Sequence, residues 1–324
     1  VSLSINTNTS AMVALETLNA TQTQLSATEN AVSTGKKVAN ASDSPAAFGI
    51  ASQMNGNIAG QGAVNDGLSF ASTVVSSTNS AANQILSVLA EVQAAVTTIG
   101  SNEGSNTSLA QINTEITGYL KQIDTIATNA TTNGVNLLVS SASASATGSF
   151  NGITAASVVY VTGLQGSTAT INNLFSIING VSSVTATGST ASLTEALGLS
   201  TSVDANGLAS SNGFLTSAGS TQSSWGGGSG AFDLTKAIAA VQKAITAMTN
   251  VTSELGQNTK NIANMTTFGQ TVADNLTTGV GSLTDADMSA ESAKLTSLQT
   301  KQSLAIKSLS IANGQSQNIL SLFQ

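Results

Sequence analysis

The chain has 324 residues, and only 8% of them are charged, against roughly 25% in an average globular chain. All nine basic residues are Lys and the net charge is −7, so no arginine-rich patch exists to grip phosphates or base edges, and nucleic acid is excluded as a partner. With no His and no Cys, Ser–His and Cys–His nucleophile pairs and most zinc sites are excluded too; no enzyme activity, metal or cofactor is expected.

The missing Cys fits two histories: a reduced cytosolic life, or secretion by a route that bypasses oxidative folding. No run approaches 18 apolar residues, so no membrane span is expected. The opening VSLSINTNTSAMVALETLN has neither the basic nor the apolar region of a secretory signal, so any export is expected to use another route.

In chain order, Leu15, Leu18, Gln22, Leu25, Glu29 and Val32 step alternately by three and four. That spacing predicts a heptad helix, stopped by Gly35 with Lys36 and Lys37 beside it. Asp43 or Ser44 is the expected N-cap of a second helix, with Pro45, the only proline, at its first position. Glycines 49, 56, 60, 62 and 67 should weaken that helix by up to about 1 kcal/mol each and permit close helix approach. Beyond them Ala71, Val74, Thr78, Ala81, Ile85, Val88, Val92, Ala95 and Ile99 form one apolar row. A turn at Gly100 to Asn106 leads to a helix on Leu109, Ile112, Ile116, Tyr119, Ile123, Ile126 and Ala130, ending near Asn133–Asn136.

Residues 139–231 change character, being rich in Ser, Thr, Gly and Ala. Strands are expected in SVVYVTG (157–163), TATINNLF (168–175) and VSSVTATGS (181–189), closed by a flexible SSWGGGSGAF joint. A disordered Ser/Thr tract is the competing reading. Helical periodicity returns on Ile238, Val241, Ile245, Met248, Thr252, Leu255, Thr259 and Ile262. After Gly279 and Gly281, Thr284 or Asp285 is the expected cap of the last helix. Its stripe, Leu295, Leu298, Gln302, Ala305, Leu309, Ala312, Ser316, Ile319 and Phe323, runs about four heptads.

The expected fold is mainly α. A long antiparallel coiled-coil-like core comes from both termini, with a β-rich inserted outer domain. The expected division is an inner terminal-helix core (1–42 and 280–324), a helical outer core (43–138 and 232–279) and a variable surface domain (139–231). Pairing the two ends buries one side of each helix, so the seams need further copies of the chain. Leu15, Leu18, Leu25, Val32, Leu295, Leu298, Leu309, Ile319, Leu322 and Phe323 are the expected assembly interface.

Both ends resemble bacterial flagellin. The resemblance is carried by SLSINTNTSAMVALETLN, STGKKVANASDSPAAFGIASQM, VNDGLSFAST, INTEITGYLKQID, TTNGVNLL and the closing LTDADMSAESAKLTSLQTKQSLAIKSLSIANGQSQNILSLF. It covers roughly 1–138 and 232–324. It implies an exported subunit that self-assembles into the extracellular flagellar filament for swimming, leaving through the flagellar export channel without a cleaved signal. The implied partners are other copies, the export apparatus and its chaperone, and the hook-associated and cap proteins. The family's stretch recognised by the flagellin-sensing Toll-like receptor, L-Q-R-V/I-R-x-L, falls here on Ile85 to Glu91. Ser87 and Leu89 stand where the family has arginines, Glu91 stands where it has Leu, and Glu115 matches the family's Glu, so weak receptor activation is expected.

Two competing functions are a hook–filament junction protein and a secreted surface protein whose insert binds glycan. The scarcity of aromatics stands against the second. Asp285, Asp287 and Glu291 read as acids favouring a helix N-terminus rather than a cation site. Trp225 and Tyr160 read as core residues of the insert.

Overall fold

The computed structural model describes residues 8–139, 153–179, 192–204, 207–215, 226–227 and 231–322. Four long helices dominate: α1 (Thr9–Thr34), α2 (Pro45–Ile99), α3 (Asn106–Asn129) and, after the insert, α6 (Leu234–Thr284), followed by a fifth, α7 (Met288–Leu322). Between α3 and α6 lie β1 (Val158–Val161), β2 (Thr168–Ile171), α4 (Phe175–Asn179), α5 (Leu193–Ala196), β3 (Ser200–Val203), β4 (Ala209–Asn212), β5 (Gly226–Gly227) and β6 (Ala231–Phe232). The architecture is mainly α, with helical ends and a small strand-bearing middle.

Local chemistry sets the boundaries. Asn8 accepts the Ala11 N–H at 3.0 Å and starts α1; Gly35, at φ 70°, ends it in the left-handed conformation that costs glycine nothing. Of the two expected caps for α2, Ser44 serves: its hydroxyl accepts Ala47 N–H at 3.4 Å and its carbonyl accepts Phe48 N–H at 2.9 Å. Asp43 instead accepts the Ala39 and Asn40 N–H groups at 2.9 and 3.1 Å, fixing the turn before the helix. The last helix is capped by neither Thr284 nor Asp285. Asp287 accepts from Ser289 and Ala290, at 2.9 and 3.3 Å, because α6 runs through Gly279 and Gly281 to Thr284 and leaves only three residues for the turn.

Contacts divide the chain into two compact units, residues 1–60 with 272–324, and residues 61–271. In the second unit, all nine residues of the α2 row from Ala71 to Ile99 are buried. They pack with Leu109, Ile116, Leu120 and Ile123 of α3 and with Val241, Met248, Val251 and Leu255 of α6. Four of the five expected glycines of α2 do not serve close approach within the chain. A Cβ added at Gly49, Gly56, Gly62 or Gly67 meets nothing within 4 Å, so these glycines face open space. The close approach is made from α6, where a Cβ on Gly269 would fall 2.4 Å from Gln61 Nε2 of α2.

The insert contributes to the same core. β1 pairs antiparallel with β2, from Val158↔Ile171 to Val161↔Thr168, turning Val158 and Tyr160 inward. Tyr160 is thus a core residue, while Trp225 and the expected strand at 181–189 lie outside the described residues. A second hairpin, β3–β4, was not expected from the sequence.

Polar side chains hold the insert to α3. Asn212 Nδ2 donates to Asn113 Oδ1 at 2.6 Å and to Thr117 Oγ1 at 3.0 Å. Lys121 pairs with Asp204 at 3.3 Å. Asn136, fully buried, donates to the Ala127 carbonyl at 2.7 Å, closing the C-terminus of α3, and accepts Leu138 N–H at 2.9 Å.

Candidate assembly interface

α1 and α7 run antiparallel, and three contacts fix the register. Asn8 Nδ2 donates to the Ala312 carbonyl at 2.9 Å, Gln302 Nε2 donates to Gln22 Oε1 at 2.9 Å, and Lys36 forms an antiparallel bridge with Asp285. The chain is stitched where α1 ends and α6 turns into α7. Lys37 N–H donates to the Thr284 carbonyl at 2.8 Å and Ala286 N–H to the Gly35 carbonyl at 2.9 Å. The Lys37 ammonium donates to the Ser282 carbonyl at 2.9 Å, so its charge serves the C-terminus of α6 and not that of α1.

The α7 stripe lies where its spacing puts it: Leu298, Ala305 and Ala312 are buried, and Leu295, Gln302 and Leu309 are half-buried. On α1 the row that turns inward is Ala14, Leu18, Thr21, Leu25 and Thr28. The expected alternates Leu15, Gln22 and Glu29 are exposed, a one-residue correction to half of the seam. Leu18, Leu25 and Val32 belong to either row; small Ala14, Thr21 and Thr28 win because they let α1 approach a partner whose own row contains Ala305 and Ala312. Ile319 and Leu322 lie within α7, but their side chains, like residue Phe323, are outside the described residues.

A seam of small residues holds weakly. The Thr28 hydroxyl is buried with no hydrogen-bond partner among the described residues, at a cost of about 1–3 kcal/mol. Several large apolar side chains point away from the seam. Met12, Val13 and Leu15 on α1, and Leu304, Ile306 and Ile311 on α7, are 48% to 73% exposed. Beside them runs an open groove of about 330 Å³, lined by Val13, Ala14, Thr17, Lys301, Leu304 and Ala305 among others. Water around so much aliphatic surface is unfavourable by roughly 25 cal/mol per Å², and exposed apolar surface such as that of Val13 and Leu304 on one groove marks a protein contact.

The receptor-matching positions lie on α2 and α3. Ser87, Glu91 and Glu115 are exposed, whereas Leu89 is fully buried, because α2 there packs on two adjacent rows, Ile85–Val92 and Leu89–Val96. Tyr119 donates to Glu115 Oε1 at 3.1 Å; that bond first, then partial desolvation and the charges of Glu115 and Glu91, raise its phenol above the usual value. Among the described residues no cluster of three His, Cys, Asp or Glu side chains is placed to hold a metal, and no helix is long and apolar enough to cross a membrane.

Paired terminal helices that leave large apolar side chains uncovered point to a self-assembling structural subunit. Residues 5–143 match the bacterial flagellin N-terminal helical region and residues 238–323 the bacterial flagellin C-terminal helical region. Relatives are similar along nearly the whole length. Flagellin C of Rhizobium meliloti is 32% identical over 338 residues, covering 99% of both chains. A flagellin of Brucella melitensis is 30% identical over 325 residues, with 99% of each chain covered, and flagellin FljK of Caulobacter vibrioides is 29% identical over 321 residues, with 99% of this chain and 98% of that one covered. The chain belongs to the bacterial flagellin family. It is a structural subunit of the extracellular flagellar filament, and its principal partner is itself.

Proposed function

We propose that copies of this chain join through the outward flanks of the α1–α7 pair, building a filament that drives swimming. The supporting observation is that Met12, Val13, Leu15, Leu304, Ile306 and Ile311 are left uncovered on the sides of the pair away from its seam. Neighbouring copies would cover it, and the contact would repeat without closing into a ring. In this arrangement residues 1–42 and 280–324 form the inner core, 43–138 and 232–279 the surrounding helical layer, and 139–231 the outward surface. Leu18, Leu25, Val32, Leu295, Leu298 and Leu309 hold the pair together, Leu15 faces the next copy, and Ile319, Leu322 and Phe323 extend the contact.

Export follows the flagellar route, with the export apparatus and a chaperone as partners inside the cell and the hook-associated and cap proteins as partners at the filament ends. Export without a cleaved signal belongs to the same proposal; the N-terminal mass of protein taken from filaments measures it. Expression in a swimming species stripped of its own flagellins should restore filaments and spreading in soft agar. Secreted protein without filaments would sink the proposal and favour a junction role.

Receptor activation should be weak. The exposed Ser87, Glu91 and Glu115, with half-buried Tyr119 beside them, offer acid where the family's receptor stretch offers arginine forks. In a receptor reporter assay on endotoxin-free monomer, at least ~100-fold lower potency than an arginine-bearing flagellin is expected, corresponding to ~3 kcal/mol of lost contact. Equal potency would contradict this.

A further inference from the structure

We propose that Asp124 is a latch, tightened by acid, that fastens residues 192–204 and 207–212 of the insert onto α3. Asp124 is buried on the apolar face of α3, 1% exposed, and its carboxylate reaches both ends of that segment. Oδ1 accepts the Thr194 N–H at 2.9 Å. Oδ2 accepts the Thr194 hydroxyl at 2.7 Å and the Ala209 N–H at 2.9 Å. One side chain thus ties α3 to the start of α5 and the start of β4.

Among the described residues no cation neutralises it. Lys121, one turn earlier on α3, is paired with Asp204 of the β3–β4 loop at 3.3 Å. Glu195 of α5 accepts the Ser192 N–H at 3.1 Å as half of a capping box. Residues 131–139, which follow α3 and contribute Val139 beside the site, contain no charged residue. A carboxylate in such a place is stabilised by its donors alone and opposed by its desolvation.

The hydroxyls around it accept either protonation state. Thr194 Oγ1 lies 3.1 Å from Ser192 Oγ, and either can donate. With Asp124 ionised, the Thr194 hydroxyl donates to Oδ2. With a proton taken up from water onto Oδ2, Asp124 donates to Thr194 Oγ1, whose own proton turns to Ser192 Oγ. Oδ1 still accepts the Thr194 N–H, so the latch keeps its geometry and only rotors turn. The hydrogen bonds still favour the charged form, and burial opposes it more strongly.

Burial raises the Asp124 carboxyl to about 6, against the opposing pull of the Thr194, Ala209 and Ser192 hydrogen bonds. In an opened latch the carboxyl is hydrated and returns to the ordinary carboxylate range. The closed form therefore binds the proton more tightly than the open form. Its acid stabilisation is full below about pH 4 and is lost as pH rises through about 6. Opening should become about tenfold more frequent between pH 5 and pH 7. An extracellular subunit meets the pH of its medium directly, so its insert would be held more tightly in acid.

The test uses full-length monomer labelled with ¹³C at the aspartate carboxyls. One of the eight Asp signals should titrate near pH 6. In hydrogen exchange, the protection of the Thr194 and Ala209 amides, corrected for intrinsic rates, should fall about tenfold from pH 5 to pH 7, with Leu255 in α6 unchanged. Asp124→Asn should remove both the signal and the pH dependence. Eight carboxyls titrating in the ordinary range, or equal protection at both pH values, would overturn the proposal on the wild-type chain alone, whether or not the variant folds.

Discussion

Replacing Leu298 with Glu is expected to stop filament growth while the helical unit of residues 61–271 melts as before. Among the described residues Leu298 is the largest buried side chain in the α7 row, 3% exposed, and the other buried seam residues are Ala and Thr apart from Leu25. A carboxylate there loses its water without gaining a partner, at a cost of several kcal/mol. The seam has little apolar contact to offset such a loss, so α1 and α7 should separate and their flanks lose the fixed spacing that neighbouring copies would read. A loss of ~3 kcal/mol per contact raises the critical concentration for assembly by at least ~100-fold. Leu304→Glu makes the contrast. Leu304 is 67% exposed, so its replacement should leave the pair intact in the monomer and still block growth. Sedimentation of seeded protein, alongside thermal melting followed by circular dichroism, checks both variants. Normal filaments from Leu304→Glu would show that this flank faces water in the polymer.

Asn136→Ala should destabilise the second unit without touching the terminal pair. The buried amide donates to the carbonyls of Ala127 and Thr128 at 2.7 and 3.3 Å and to Thr131 Oγ1 at 3.2 Å, and its oxygen accepts Leu138 N–H at 2.9 Å. Alanine keeps the backbone but strands these groups away from water. Each buried donor or acceptor left unsatisfied costs about 1–3 kcal/mol, and a total of roughly 2–4 kcal/mol is expected. For a unit of this size the melting temperature should fall on the order of 10 °C. Urea unfolding of wild type and variant measures the difference directly. A change below about 0.5 kcal/mol, the usual range for a surface substitution, would mean that water replaces the lost hydrogen bonds.

The helical frame was legible because one signal dominates it. The α2 row from Ala71 to Ile99 repeats without interruption, and a long helix with an apolar stripe has one sensible way to bury it. The α1 seam was half legible. Steps of three and four through Leu18, Leu25 and Val32 are shared by two rows, and hydrophobicity favoured the one with Leu15. The partner's shape favoured Ala14, and shape is not written in the periodicity of one helix. In the proposed assembly Leu15 faces a neighbouring copy.

Polar anchors were missed for a related reason. Asp124 follows Ile123 on α3 and reads from sequence as a solvated charge; only the N–H groups of Thr194 and Ala209, 70 and 85 residues further on, give it a buried role. The β3–β4 hairpin escaped because its outer positions are serine and threonine. Ser202 Oγ lies 2.9 Å from Ser210 Oγ and Thr201 Oγ1 lies 2.9 Å from Ser211 Oγ, a cross-strand ladder with no apolar alternation to announce it. Asp287 escapes a reading of the sequence because Gly279 and Gly281 look like a helix end, whereas α6 runs through them to Thr284.

The most direct test of assembly through the terminal pair is electron microscopy of purified chain seeded with short filament fragments, beside a version lacking residues 1–42 and 280–324. The intact chain should grow long filaments, and the shortened one should stay monomeric while keeping the folded signature of residues 61–271. Filaments from the shortened chain, or persistent monomers from the intact chain, would contradict assembly through α1 and α7.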